Sequence, residues 1–417
     1  MYNAMTIKEP IVAQHMGVEV YFAHGLRKIQ PYYHSRTSFA KGRWLKRRLL
    51  DVLADEFKSH SREEYAKGIE RGEFQIIRDD CALSSAHTLV TEIQNKDVIR
   101  TTFHKHEPPV RQWSSDERSQ SEKTIGGIQI VHECNDLLVI NKPSGVPIHP
   151  TGQYYQNTLV EVLKMHGKHV FPSHRLDKIT SGVLILTKNP HMANKIQQQI
   201  RQRNMQKIYL AKVEGCFPKA EALRSFKAFE DPAKITIENS AIYTVELKKQ
   251  FPAAFSVARE AITKFYPLKY YPASNETLVA CQPVTGRTHQ IRIHLARMGF
   301  PISNDPFYNA KKTKYPKRLR FILDTHNWSD GKLTTGELES HFHDFDRESR
   351  LVQRAVDSVD ANGNCFECGT TLFPDPDLKD LELCLHAWKY SDSEGHLSFE
   401  SDMPGWVLEK QEVFEDS

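Results

Sequence analysis

The chain predicts an α+β fold, a mixed and largely antiparallel sheet with flanking helices, preceded by a small α/β unit. Three observations predict it. From about residue 126, short β-branched and leucine-rich runs (IQIVHE, DLLVINKP, SGVLILTK) lie between turn residues and read as strands. Helical segments fall among them without a regular βαβ alternation, which argues against a parallel, doubly wound sheet. Before residue 110 the apolar spacing is instead near 3.6, the period of a helix packed on one face.

In chain order, residues 1–20 form a tail and 21–110 a small unit. Within RRLLDVLADEFKSHSREEYAKGIERGEFQII, the side chains of Leu49, Leu50, Leu53 and Phe57 share a helical stripe. A second helix follows around Tyr65 and Ile69, Gly72 closes it, and FQII opens a strand. The stretch 105–125, KHEPPVRQWSSDERSQSEKTI, is polar with a proline pair, so residues 111–125 are expected to be a linker. The large unit spans 126–406. There NTLVEVLKMHG, HMANKIQQQIRQRN and THQIRIHLARMG are expected helices, while KIYLAKVEG, LVACQPV and ELCLHAWKY are expected strands. Residues 326–364 are charged with little apolar periodicity, which predicts an inserted loop or extension, partly mobile; 407–417 form an acidic tail.

Composition narrows the class. With 417 residues, 39% hydrophobic and 26% charged, the chain has material for two or three globular domains. The net charge of +4 is small but unevenly spread. Residues 1–50 hold nine Lys/Arg against two acids, and 390–417 hold eight acids against Lys410 alone. A basic front of this kind fits a polyanionic partner. Seven dispersed cysteines point to a reducing compartment and no disulfide framework. With neither an apolar signal region nor an eighteen-residue apolar run, no membrane association is expected. Cytoplasm and nucleus are the expected locations, with mitochondria left open.

Several chemistries lack their residues. The chain has no Gly-rich phosphate loop, no GxSxG elbow, no HExxH and no HxE…PCxxC set, so no cofactor is expected. Cys365-Phe-Glu-Cys368 is a single CxxC, and a structural zinc needs four ligands. The nearest candidates to complete one are His341, His343, Cys384 and His386. Two reduced thiols in a turn, without metal, is the expectation.

Three segments concentrate polar chemistry. HRLDKITSGVLIL, 174–186, sets Asp177 at the mouth of a buried strand; alone, such an acid is ordinarily a turn or cap residue. GRTHQIRIH, 286–294, packs Arg287, His289, Arg292 and His294 into a helix with a cationic side. KIYLAKVEG, 207–215, places Tyr209 and Ala211 on one side of a strand.

Together with INKPSGVPIHP, QPVTGRTHQIRIHLARMGFPISNDPFY and LCLHAWKY, these blocks resemble the RluA-type pseudouridine synthases in order and spacing, over roughly 126–309 and 381–406. In the front unit YFAHGLRKIQPYY, KGRW and FHKHEPPV resemble the N-terminal extension of eukaryotic members that modify transfer RNA. Residues 41–106 look like the small RNA-binding fold shared with certain ribosomal proteins.

The resemblance implies the pseudouridine synthase fold and isomerisation of uridine to pseudouridine, at about position 31 or 32 of a tRNA anticodon stem-loop. It implies Asp177 as the essential carboxylate and Arg292 as its cation, an opposite charge within ~4–6 Å favouring the ionised acid. Tyr209 would stack on the uracil and take part in moving its proton. Extruding the uridine costs a few kcal/mol. His174, Arg175 and Arg287 would serve that step, Arg175 filling the vacated space and Leu385 walling the ring. Lys41, Arg43, Lys46, Arg47 and Arg48 would be phosphate contacts, which position RNA without reading bases. A second basic stretch, Lys311 to Arg320, is assigned to the backbone path.

The chain departs from the family where the usual Gly-Asp is Asn304-Asp305, a change expected to alter a turn and no catalytic group. The fused deaminase of some relatives is not expected. Two other functions remain open on sequence. One is a non-catalytic RNA-binding protein or RNA-folding chaperone, which would work without Asp177. The other is metal-dependent RNA processing resting on Cys365 and Cys368. RNA, above all tRNA, is the expected partner, and a monomer the expected state.

Overall fold

The computed structural model describes residues 13–15, 18–57, 61–114, 120–121, 123–220, 228–246, 249–252, 254, 258–358 and 363–408. The acidic tail beyond 408 and most of the N-terminal tail lie outside them. Contacts divide the chain into two units: residues 29–107 with 365–370, and the remainder.

In the smaller unit a four-stranded antiparallel sheet has the order Tyr32–Phe39, Val98–Lys105, Phe74–Arg78, Cys81–Ala82. Helix Arg62–Glu70 starts with a capping box, Ser61 accepting from the Glu64 amide while the Glu64 carboxylate accepts from the Ser61 amide. Such a pair satisfies two amides that the first turn leaves open. Of the expected stripe, Leu49 and Leu53 pack inward, buried with Tyr65 and Ile69 against Phe74, Ile76 and Ile99, and Leu50 is partly buried, whereas Phe57 is exposed.

The larger unit is built on a twelve-stranded sheet. Its centre runs Glu276–Pro283, Met205–Glu214, Leu385–Asp392, Ser181–Thr187, Leu137–Lys142, Ile128–Glu133. Neighbours pair antiparallel except Ser181–Thr187 with Leu385–Asp392, which run parallel. The strand after Asp177 is therefore central and covered on both faces, which is why it reads as a continuous apolar run. Val183, Leu184, Ile185 and Leu186 are all fully buried. Each contributes about 1.5–3 kcal/mol of burial, enough to hold the segment rigid.

Gly182 has a positive φ of 112°, and a Cβ there would lie 2.2 Å from the Ala387 carbonyl oxygen. The Thr-Ser-Gly step thus has a steric cause in the close approach of the parallel neighbour.

Two expectations of irregular chain are corrected. Most of 326–358 is helical and not a loop: Pro316–Ser329 and Thr335–Ser358 are helices. Leu338, Phe342 and Phe345 fall at i, i+4 and i+7 and pack against Phe321 and Ala254. The charge on the other positions hides that stripe. At the two ends of 111–125 the chain is paired: Arg111 pairs with Leu26, and Thr124–Ile125 pair with Ile128–Glu133. Among the described residues no helix is long and apolar enough to cross a membrane.

Candidate active site

A cleft of about 580 Å³ opens where the ends of the central strands meet helix Gln290–Arg297. Asp177, Arg175, Tyr209, Arg287, Arg292 and Leu385 all line it, so segments far apart in sequence converge on one space. Asp177 keeps 22% of its side chain exposed, at the cleft.

The chain secures the Asp177 turn from beneath. Lys142 is fully buried and donates to three carbonyls, Pro143 at 2.8 Å, Lys178 at 3.0 Å and Thr180 at 2.8 Å. The Gly145 amide donates to the Lys178 carbonyl, and the Ser144 hydroxyl to the carbonyls of Ile179 and Leu381. The INKPSG block is thus a clamp on residues 178–180, immediately after the acid. Burial pushes the Lys142 amine down to about 7, with Asp177 pulling the other way.

Opposite Asp177 stands Arg292, 2% exposed, its Nη1 3.5 Å from the Asp177 carboxylate. Its Nε and Nη2 donate to Asp305 at 2.7 and 2.8 Å, a bidentate fork. Asp305 is itself fully buried and accepts from the amides of Phe307 and Tyr308. The expectation that Arg292 pairs with Asp177 is therefore refined: Asp305 holds the guanidinium, and one remaining nitrogen faces Asp177. At the Asn304-Asp305 departure the changed residue does sit in a turn, and Asp305 takes a role that the sequence did not assign to it. Asn304 accepts from the Cys384 amide at 2.8 Å and donates to the Glu382 carbonyl, joining its turn to the approach of the Leu385 strand.

His289 also contacts Asp177, Nε2 to Oδ2 at 3.5 Å, and its Nδ1 bonds the Tyr308 hydroxyl at 2.8 Å. It caps helix Gln290–Arg297 at φ 56°, a left-handed conformation costly for a residue with a Cβ. Burial pushes its imidazole down to about 4 against the pull of Asp177, so it is neutral at pH 7. The same helix is no solvated basic face: residues 290–295 are buried, and His294 bonds Thr263 and the Ser240 carbonyl.

On the other wall the Tyr209 and Tyr390 hydroxyls are 2.8 Å apart. Burial pushes the Tyr209 phenol up to about 12. His174 stacks on Tyr390 at 4.8 Å and accepts from the Ile185 amide, so it supports the strand as well as lining the cleft. Lys207 reaches the same cleft, its pKa lowered by burial. Arg175 is exposed, whereas Arg287 is half-buried and donates to the Glu260 carbonyl. Tyr390, Lys207 and Lys142 were not singled out from sequence, and Asp305 was named without a role. An acid thirteen residues after Arg292 was the available signal for Asp305.

Elsewhere, Lys41, Arg43, Lys46 and Arg48 are exposed, but Arg43 pairs with Glu56 at 2.8 Å and Arg47 with Asp55 and Glu56. In the second basic stretch Lys311, Lys314, Lys317 and Arg320 face Glu214, Asp380, Asp344 and Asp324. The residues proposed to complete a zinc site with Cys365 and Cys368 have other partners. His341 lies 2.9 Å from Asp324, His343 lies 3.7 Å from Glu339, Cys384 is in the core, and His386 bonds Ser181 and Ser401.

Comparison with known proteins identifies the family. Residues 136–297 match the family model described as RNA pseudouridylate synthase. The chain is 49% identical to "tRNA pseudouridine(31) synthase" of Saccharomyces cerevisiae, over 94% of this chain and 97% of that protein. It is 33% identical to the "tRNA pseudouridine(32) synthase, mitochondrial" of the same organism, over 92% and 78%. Among solved structures, "Human RNA Pseudouridylate Synthase Domain Containing 1" aligns over 69% of this chain and 86% of its own, with 19% identity and a TM-score of 0.40. The chain belongs to the RluA-type RNA pseudouridylate synthases and is an isomerase acting on RNA.

Proposed function

We propose that this isomerase converts a uridine of the tRNA anticodon stem-loop to pseudouridine, at position 31 ahead of 32, with Asp177 as the essential carboxylate. The carrying observation is the placement of Asp177 in an open cleft, 3.5 Å from a buried guanidinium that a second carboxylate already holds. A charged group so arranged is costly to build and a poor source of stability, which favours a chemical role. The position follows the higher identity to the position 31 relative, 49% against 33%.

In this reading the extruded uracil lies against Tyr209 and Leu385, Asp177 faces its sugar, and Arg175 occupies the space the base leaves. The N-glycosidic bond breaks, the ring turns, and carbon 5 bonds the same sugar; the carbon 5 proton leaves to solvent while nitrogen 1, freed from the sugar, takes one up, so the product is an isomer of the substrate. The exposed bases of the smaller unit, Lys41, Arg43, Lys46 and Arg48 together with half-buried Arg47, track the phosphate backbone. The protein works as a monomer in cytoplasm or nucleus.

The test is tritium release from a transcript labelled at uracil carbon 5. Asp177→Ala should release none while still binding tRNA, and release at the wild-type rate would overturn the catalytic assignment. Mapping pseudouridine in total RNA with and without the protein tests the position, and an unchanged position 31 would refute it.

A further inference from the structure

Outside the cleft, the smaller unit assembles four metal-binding side chains that the mechanism does not use. We propose that His104, His106, Cys365 and Cys368 hold a structural zinc ion.

The four offer one ligand atom each, all within 4.8 Å of one another. His106 Nε2 lies 3.2 Å from Cys368 Sγ, and His104 Nδ1 lies 3.6 Å from Cys365 Sγ. A tetrahedral zinc with bonds of about 2.0–2.1 Å to nitrogen and 2.3 Å to sulfur sets its ligands roughly 3.3–3.8 Å apart. The observed pairs fall in or beside that range.

Local structure explains how the atoms converge. His104 and His106 are two residues apart at the end of strand Val98–Lys105, a spacing that places side chains on one face. Their rings meet at 4.9 Å and 78°. The Cys365–Thr370 turn is closed by the Gly369 amide on the Cys365 carbonyl and the Cys365 amide on the Thr370 carbonyl. Gly369 has a φ of 70°, so the turn brings the second cysteine back beside the first.

The surroundings favour an ion over thiols at rest. A zinc-bound histidine usually gives its other nitrogen to a carboxylate, which orients the ring. His104 Nε2 lies 3.5 Å from the Glu367 carboxylate while its Nδ1 faces Cys365. Tyr33 reinforces both, stacking on His104 at 4.7 Å and donating to Glu367 at 3.2 Å. Two thiolates and two neutral imidazoles would neutralise the divalent ion. Four protein ligands leave no open position, so the ion would be structural. It would tie a six-residue turn to a strand that ends 260 residues earlier in the chain.

The experiment uses the full chain, purified without chelator and without a metal-affinity tag. Elemental analysis should find one zinc per chain, released when a mercurial blocks the thiols. The Cys365→Ser/Cys368→Ser and His104→Gln/His106→Gln variants should each lose it. If those variants fail to fold, wild-type protein in which cobalt replaces zinc decides, through tetrahedral d–d bands with thiolate charge transfer. A folded wild-type chain that carries no zinc, takes up none when offered zinc, and leaves both thiols freely reactive would overturn the proposal.

Discussion

Arg292 divides its guanidinium between two acids, giving two nitrogens to buried Asp305 at 2.7 and 2.8 Å and turning a third toward Asp177 at 3.5 Å. The division separates two tasks. Asp305 compensates the buried charge and fixes its plane, so the cation can face Asp177 without depending on it for burial. The rings of Phe307 and Tyr308, 5.5 and 5.0 Å from the guanidinium carbon, complete the seat.

Removing one member of a buried, hydrogen-bonded pair costs about 3–5 kcal/mol, because the other charge is left unpaired. Asp305→Ala should therefore lower the urea midpoint of unfolding by that equivalent. Asp305→Asn keeps the shape and should cost less stability, but it frees the guanidinium to shift toward Asp177. A misplacement near 1 Å can cost about a hundredfold in rate. Single-turnover rates should fall while tRNA affinity holds. Wild-type turnover in Asp305→Asn would show that the fork does not position Arg292.

Tyr209 and Tyr390 share a hydrogen bond of 2.8 Å at the cleft wall. With its phenol pushed up to about 12 by burial, Tyr209 is protonated at pH 7, so it can take up the carbon 5 proton only as its own hydroxyl proton leaves. Tyr209→Phe keeps the stacking ring and removes the hydroxyl. Its tRNA affinity should stay within about threefold, while turnover falls by about 10²–10⁴, the range for a positioned acid–base group. Tyr390→Phe should lose less. Equal turnover in wild type and Tyr209→Phe would leave the tyrosine only its stacking role.

Legibility in the sequence followed physical scale. The strand after Asp177 was readable because burial on both faces forces an unbroken apolar run, and the motif blocks pointed to the cleft because close packing there tolerates few residue types. Helix Thr335–Ser358 was not readable, since its narrow stripe of Leu338, Phe342 and Phe345 is diluted by the charged residues around it. Asp305 was named yet given no role, because a bidentate partner is a three-dimensional relation between a helix and a turn. Of the proposed zinc ligands, Cys365 and Cys368 were named from sequence and the two histidines were missed for the same reason. Nearness in sequence selected His341 and His386, while pairing of Val98–Lys105 in its sheet presented His104 and His106 to the cysteine turn.

Four histidines, two buried and two half-buried at the cleft, give a pH signature. Burial holds His174 down to about 3, and His289, His294 and His386 to about 4, against an ordinary value of 6.5. As pH falls from 6.5, the unfolded imidazoles take up protons first, so proton uptake favours the unfolded chain. The contribution is complete above 6.5 and declines toward pH 4. Each site can add a slope of at most about 1.4 kcal/mol per pH unit. Unfolding free energy should drop steeply between pH 6.5 and pH 5, and His386→Gln should flatten the drop. A flat profile over that window would contradict neutral burial of these rings.

Gly182 offers the sharpest steric test. A Cβ at this position would meet the Ala387 oxygen, nitrogen and carbonyl carbon at 2.2, 2.5 and 2.7 Å, all backbone atoms of the paired strand. Neither strand can retreat, because Val183 to Leu186 are fully buried on one side and Ala387 is fully buried on the other. Backbone strain of about 1–3 kcal/mol and overpacking of about 1–3 kcal/mol should add in Gly182→Ala. The urea midpoint should fall accordingly with an unchanged slope. Because the glycine lies five residues after Asp177 and pairs beside Leu385, the folded fraction should also turn over more slowly than wild type. A variant with the wild-type midpoint would mean that the parallel pair is looser than the geometry shows.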